Sequence, residues 1–93
     1  MILNFRDKDT ALIWSGTPVR RLPIEMQAIA RRKLRMLNNA LTLADLSVPP
    51  GNRLEALKGK RKGQHSVRVN AQWRICFAWQ DGDCADVEIT DYH

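Results

Sequence analysis

The feature that most constrains the fold is a pair of alternating runs in the second half of the chain. One side of the two runs is formed by His65, Val67 and Val69, then by Trp73, Ile75, Phe77 and Trp79. A period of two predicts strands with one buried face. Asn70-Ala71-Gln72 can connect the two runs, and Asp81-Gly82 is the strongest hairpin signal in the chain. A third strand-like run, 84–90, follows, so this half predicts an antiparallel meander.

The first half carries helical patterns instead. Ile2 to Phe5 predicts a short first strand, and Asp7 or Asp9 can cap a short helix that ends near Ser15. Pro23 suits the first turn of a longer helix. The apolar residues of that longer helix recur at steps of three and four: Met26, Ile29, Ala30, Leu34, Leu37 and Leu41.

One charged residue, Lys33, falls on the apolar side of this helix. We expect its stem to lie along the core and its ammonium group to lie in water. The segment 48–52 contains two prolines and a glycine and predicts a loop between the halves. Helices followed by strands predict an α+β fold, in which two N-terminal helices pack on one face of a small, mostly antiparallel sheet.

The charge balance predicts a polyanionic partner. Lys and Arg outnumber Asp and Glu by 15 to 10, which favours nucleic acid first, then an acidic protein, then a membrane surface. The length of 93 residues predicts a single domain over 1–93. We expect no signal peptide, because no basic segment precedes a long apolar run, and no run approaches membrane-spanning length.

The cysteines and histidines predict neither a disulfide nor a metal site. With a two-residue turn at Asp81-Gly82, Cys84 would lie opposite Trp79 and Cys76 opposite Val87, so the two thiols would not meet. Reduced thiols fit a cytoplasmic protein. Two cysteines and two distant histidines also lack metal-ligand spacing, so we expect no metal and no cofactor.

Candidate site residues cluster on the face that the helices leave uncovered. If Ile75 and its neighbours pack against the helices, Arg74 and Arg68 turn outward together. Asp91-Tyr92-His93, which follows the last strand, adds groups that can carry protons. The basic residues before these strands can hold neighbouring phosphates: Lys58, Lys60, Arg61 and Lys62. Phosphate holders and proton carriers would thus share one concave surface.

Plainer interpretations fit the same residues. Arg68 and Arg74 can be ordinary solvent-facing strand residues, and the basic turn 60–62 can be merely solvated. His65 alternates with valines, so a buried structural histidine is its default reading.

Four segments carry a resemblance to a known family: 53–59 with its Leu-Lys-Gly, 63–69 with Ser66 and Arg68, 70–77 with Trp73-Arg74-Ile75, and the final Asp91-Tyr92-His93. Through them the chain resembles a HigB-type toxin of the RelE/ParE superfamily. The resemblance implies a RelE-like fold and a type II toxin that enters the ribosomal A site and cleaves mRNA there. It also implies a HigA-type antitoxin with a helix-turn-helix domain, through which alone the toxin would reach operator DNA.

By position, the resemblance implies that Arg74 stabilises the scissile phosphate and Lys58 holds a neighbouring one. Asp91, Tyr92 and His93 would form a catalytic tail. Glu55 stands where family members can carry a histidine, so Glu55 and His65 are further candidate proton carriers beside His93. Two other functions remain open: a toxin of the same fold that acts on another target such as DNA gyrase, and a non-catalytic basic binding module.

Overall fold

The two predicted helices begin and end close to their capping signals. In the computed structural model, which describes residues 1–91, α1 spans Lys8–Trp14 and α2 spans Ile24–Asn39. The Asp7 carboxylate accepts hydrogen bonds from the Thr10 backbone N (3.0 Å) and from its Oγ1 (2.6 Å), which satisfies the start of α1. Pro23 lies at the N-cap of α2, one residue before the first turn in which the pattern placed it.

The apolar stripe of α2 forms the centre of the core, but it is shorter than predicted. Four of its six predicted members are buried: Met26, Ala30, Leu34 and Leu37. Leu41 lies beyond the end of α2 and is 83% exposed, so its assignment to the stripe is wrong. The cause is a capping box, in which Thr42 and Asp45 start a 3₁₀ helix, Leu43–Ser47, and turn the chain away.

Four strands form an antiparallel sheet in chain order. They are β1 (Glu55–Ala56), β2 (Gln64–Arg68), β3 (Arg74–Gln80) and β4 (Asp83–Thr90). Asp81 and Gly82 both have positive φ, 50° and 89°, as a tight two-residue hairpin requires, so that predicted turn is confirmed. Asn70 Oδ1 accepts from the backbone N of Gln72 (2.9 Å) and of Trp73 (2.8 Å) and shapes the other connection.

The predicted first strand contributes only isolated contacts. Ile2 and Phe5 make single parallel bridges to Cys84 and Val87 of β4. Between them, the Asn4 side chain accepts from the Asp86 backbone N and donates to the Asp86 carboxylate, both at 3.0 Å. The N-terminal segment therefore fastens the outer edge of β4.

A bulge in β4 changes the predicted register. Asp86 has a φ of 52°, and the pairing between β3 and β4 shifts at this point. Cys84 lies opposite Trp79 as predicted, but Cys76 lies opposite Glu88, so the pairing with Val87 is wrong by one residue.

The two faces of the sheet have different neighbours. The face toward the helices carries buried apolar side chains: Val67, Ile75, Phe77, Val87 and Ile89. Cys84 also lies on this face, where its thiol contacts the Leu37 carbonyl of α2, whereas Cys76 alternates to the opposite face. Both thiols are free, and burial raises the pKa of each, that of Cys84 to about 11.

The predicted α+β architecture, with two helices on one sheet face, is confirmed. None of the helices within residues 1–91 is long and apolar enough to cross a membrane.

A buried asparagine ties the loop between α2 and β1 to the helix. Asn52 is fully buried and donates through Nδ2 to the carbonyls of Leu46 (3.1 Å) and Val48 (3.3 Å). Its Oδ1 accepts from Lys33 Nζ, a protein partner for this ammonium group that the sequence did not predict. Partial burial, and then the charge of Arg32, lowers the pKa of Lys33.

Replacing Asn52 by Ala should therefore destabilise the fold. The Leu46 and Val48 carbonyls lose their donor and Lys33 loses its acceptor, so we expect a loss of about 2–3 kcal/mol in the free energy of unfolding. Asn39→Ala, at the exposed last residue of α2, is the matched control. Urea titration measures the free energy of unfolding of both variants. An equal small loss in the two would show that the buried network adds no stability beyond that of an exposed asparagine.

Candidate active site

A cleft of about 390 Å³ opens on the sheet face away from the helices. It lies where β1, β2 and the connection between β2 and β3 meet. Its lining contains three charged strand residues and four from the adjoining loops: Glu55, Arg68 and Arg74, with Arg53, Asn70, Ala71 and Gln72. Strand alternation explains the grouping, because Glu55 pairs with Ser66 in the sheet register and Arg68 pairs with Arg74.

The guanidinium group of Arg74 is held along one side. Its Nε donates to Ser66 Oγ at 2.7 Å, and its Nη2 donates to the Arg53 carbonyl at 2.6 Å and to the Ser66 carbonyl at 3.3 Å. Ser66 is fully buried, so this anchor lies away from solvent. Within residues 1–91, Nη1 makes no hydrogen bond. Its two N–H groups remain for a ligand.

The carbonyl that receives Arg74 comes from an unusual backbone. Arg53 has φ 44° and ψ 56°, the left-handed region that residues other than glycine seldom adopt. Such a conformation costs about 1–3 kcal/mol, and such strain is concentrated at functional sites.

Arg68 and Arg74 face each other across β2 and β3 as directly opposed residues. Like charges in this position repel, and neither residue makes an ion pair with any other residue of the described part of the chain. An anion between them would remove that repulsion. The arrangement therefore suits a phosphate better than it suits a solvated surface.

Asp91 lies at the edge of the same cleft. Its Oδ2 accepts a hydrogen bond of 3.1 Å from Gln72 Nε2, and Gln72 is one of the lining residues. The structure thus places Glu55, Arg68 and Arg74 in the cleft and joins Asp91 to it through Gln72. Tyr92 and His93, the other predicted members of the tail, lie outside the described residues.

The predicted basic cluster before β2 does not line the cleft. Lys58, Lys60 and Lys62 are exposed; Lys58 and Lys62 flank a 3₁₀ helix, Gly59–Arg61, that contains Lys60. Arg61 is engaged elsewhere, since its Nη2 lies 2.9 Å from Glu88 Oε1 and its Nη1 donates to Gln64. Arg61 therefore lies in an ion pair with Glu88 and not in the cleft lining.

His65 lies on the other face of the sheet. It is half-buried, and its ring stacks on Phe77 with centroids 6.2 Å apart. Its Nδ1 is buried and has no hydrogen-bond partner among the described residues. The suggestion that His65 reaches the site is thus wrong, and its interpretation as a structural histidine fits.

Two contributors to the site were missed from sequence. Ser66 belongs to the motif but had no predicted role. It lies opposite Cys76, two residues along β3 from Arg74, and from there its hydroxyl reaches the Arg74 Nε. Arg53 acts through its carbonyl, for which the sequence has no signal. Among residues 1–91, no group of three or more His, Cys, Asp or Glu side chains could hold a metal ion.

The chain is similar to known toxins along nearly its whole length. A family model described as "RelE-like toxin of type II toxin-antitoxin system HigB" matches residues 3–93. Toxin HigB-1 of Vibrio cholerae is 42% identical over 83 residues, which cover 88% of this chain and 87% of that protein. A protein named Endoribonuclease HigB, from Proteus vulgaris, is 29% identical over the full length of both chains. The chain therefore belongs to the HigB family of RelE-like toxins, the toxin components of type II toxin–antitoxin systems.

Proposed function

We propose that this chain is an endoribonuclease that cleaves mRNA in the ribosomal A site and so inhibits translation. It would act as a single cytoplasmic domain and be paired with a HigA-type helix-turn-helix antitoxin. Family membership supports the toxin role, and the name of the Proteus vulgaris relative supports RNA cleavage. Operator DNA would be reached only through the antitoxin.

The single observation that carries the proposal is the held guanidinium group of Arg74. Its Nη1, which makes no hydrogen bond within residues 1–91, belongs to a cleft with Arg68 opposite and Glu55 nearby. A donor fixed before the substrate arrives loses little freedom in the transition state, where charge builds on the phosphoryl oxygens.

The proposed reaction is a phosphoryl transfer from the 5′-oxygen of one nucleotide to the 2′-oxygen of the preceding one. The ribose 2′-hydroxyl gives its proton to a base, and the 2′-oxygen attacks the adjacent phosphorus. The bond from phosphorus to the 5′-oxygen breaks, and that oxygen takes a proton. A 2′,3′-cyclic phosphate and a 5′-hydroxyl result, so a base and an acid are both needed.

We assign proton transfer to Glu55 and to the tail. Glu55 is a carboxylate inside the cleft, and Asp91 is held at the cleft edge by Gln72. His93 follows two residues later in the sequence and carries the imidazole of the proposed site, with Tyr92 beside it. Lys58, Lys60 and Lys62 are exposed, and we assign them to more distant phosphates of the RNA.

The proposal predicts that cleavage depends on the ribosome. With a net charge of +5, the chain should bind ribosomes with an affinity that falls steeply as salt concentration rises. Purified mRNA should be cut slowly or not at all unless ribosomes are present. Incubating one labelled transcript with and without 70S ribosomes, and mapping the new ends, measures this. Equal cutting of naked RNA would contradict the A-site proposal.

Arg74→Ala and His93→Gln should each abolish cleavage and growth arrest. The first removes the charge that meets the phosphate, and the second keeps hydrogen bonding but cannot carry a proton. Arg74→Lys should restore only part of the rate, because a point charge cannot reproduce the guanidinium fork.

The control for these variants is Arg20→Ala. Arg20 is exposed and makes no ion pair within residues 1–91. Because Arg74 makes three hydrogen bonds, Arg74→Ala should also lose about 1 kcal/mol of stability, so thermal melting must accompany each assay. Folded variants of Arg74 or His93 that still arrest growth and yield the same transcript ends would overturn the assignment.

A further inference from the structure

A second concave surface lies beside α2 and is separate from the cleft. We call it the α2 groove. It has a volume of about 490 Å³ and runs between the last turns of α2 and the segment that follows them. Its helix side carries Arg32, Arg35 and Met36, and its other side is formed by Ala40, Leu46 and Val48. No residue is common to the α2 groove and the cleft.

The floor and one wall of the groove are apolar. Leu46 is buried, Met36 is half-buried, and Val48 at the rim is 69% exposed. Leu41, directly after Ala40, is 83% exposed. Large apolar side chains that stay in water next to a groove mark a surface suited to a protein partner.

The floor of the groove is also held in place. Asn52, buried beneath it, donates to the Leu46 and Val48 carbonyls, and its Nδ2 lies 3.8 Å from Met36 Sδ. A groove whose walls are fixed in this way loses little freedom when a partner binds.

The helix side of the groove is positively charged. Arg32 and Arg35 are exposed, and neither makes an ion pair with another residue of 1–91. The acidic residue beside them, Asp45, is used locally: its Oδ2 accepts from the backbone N of Leu41 (2.9 Å) and of Thr42 (3.0 Å). The hydrogen bonds from Thr42 and then Leu41 lower the pKa of Asp45, so its carboxylate stays charged and is held at the turn. The rim therefore offers two unbalanced guanidinium groups.

We propose that the α2 groove docks the antitoxin of the same toxin–antitoxin pair, through an apolar side chain flanked by carboxylates. The apolar side chain would lie on Met36 and Leu46, and the carboxylates would meet Arg32 and Arg35. An apolar floor favours protein over RNA, whose backbone presents phosphates. The inference rests on the antitoxin pairing of the family and is independent of the proposed RNA cleavage.

Two single substitutions test the docking surface. Val48→Glu places a charge on the apolar wall, and Arg35→Glu reverses the charge of the rim. Each should weaken binding of the purified antitoxin to the full chain by about tenfold or more, as titration calorimetry measures it. Arg35→Glu should also make the affinity less dependent on salt. Val48→Ser is a milder variant that should weaken binding in the same direction.

Matched controls lie elsewhere on the surface. Ile24→Glu changes an apolar residue that is 68% exposed at the start of α2, and Arg20→Glu reverses an exposed arginine outside the groove. Both should leave the affinity within about twofold of the parent value. Melting temperatures show whether every chain is folded.

Parent-like antitoxin affinity in a folded chain with both Val48→Glu and Arg35→Glu would overturn the proposal. The proposal would also be overturned if that chain lost ribosome binding or self-association but kept its antitoxin affinity. Cleavage is assayed without antitoxin in the same chains. If no chain cleaves RNA but the affinities follow the predicted pattern, the proposed activity fails and the docking surface stands.

Discussion

The hydrogen bond from Arg74 Nε to Ser66 Oγ is the interaction on which the candidate site depends. It exists because the β2–β3 register places Ser66 opposite Cys76 and Arg68 opposite Arg74. The second anchor, the Arg53 carbonyl, directly follows Asn52, which is buried and bonded to Lys33 and to the preceding loop. The core of the protein thus fixes the orientation of an arginine on its surface. Because the Arg74 side chain is already held in place, the arrangement favours a preformed binding site for an anion, and little has to move when the ligand binds.

Much of the fold could be predicted because it rests on local periodicity. Alternation over 64–79 placed Arg68 and Arg74 on one face, and Asp81-Gly82 located the hairpin. The errors arose where tertiary contacts decide. The end of α2 is the exception, since it depends on the local capping box of Thr42 and Asp45. The bulge at Asp86 is held by Asn4 from the far end of the chain, and Lys33 donates to Asn52 nineteen residues away. Such pairings leave no periodic trace in a sequence.

The site could be predicted in part for the same reason. Arg68, Arg74 and Glu55 share a face by alternation, whereas the bond between Gln72 and Asp91 and the roles of Ser66 and Arg53 appear only in three dimensions. Arg61, which the sequence grouped with the phosphate-binding residues, makes an ion pair with Glu88. Arginines that make no ion pair within residues 1–91 line both the cleft and the α2 groove. In the cleft they face polar groups and in the groove they border apolar ones, which suits the first to phosphate and the second to protein.

We propose that Ser66 acts on catalysis by anchoring the Nε of Arg74. Single-turnover cleavage of ribosome-bound mRNA tests it when Ser66→Ala is made in the parent chain and in a chain carrying Arg74→Lys. We expect Ser66→Ala to slow the parent by about tenfold or more but to slow the Arg74→Lys chain by no more than about twofold, because the anchored Nε is then already absent. Equal slowing in both chains, with unchanged melting temperatures, would contradict it.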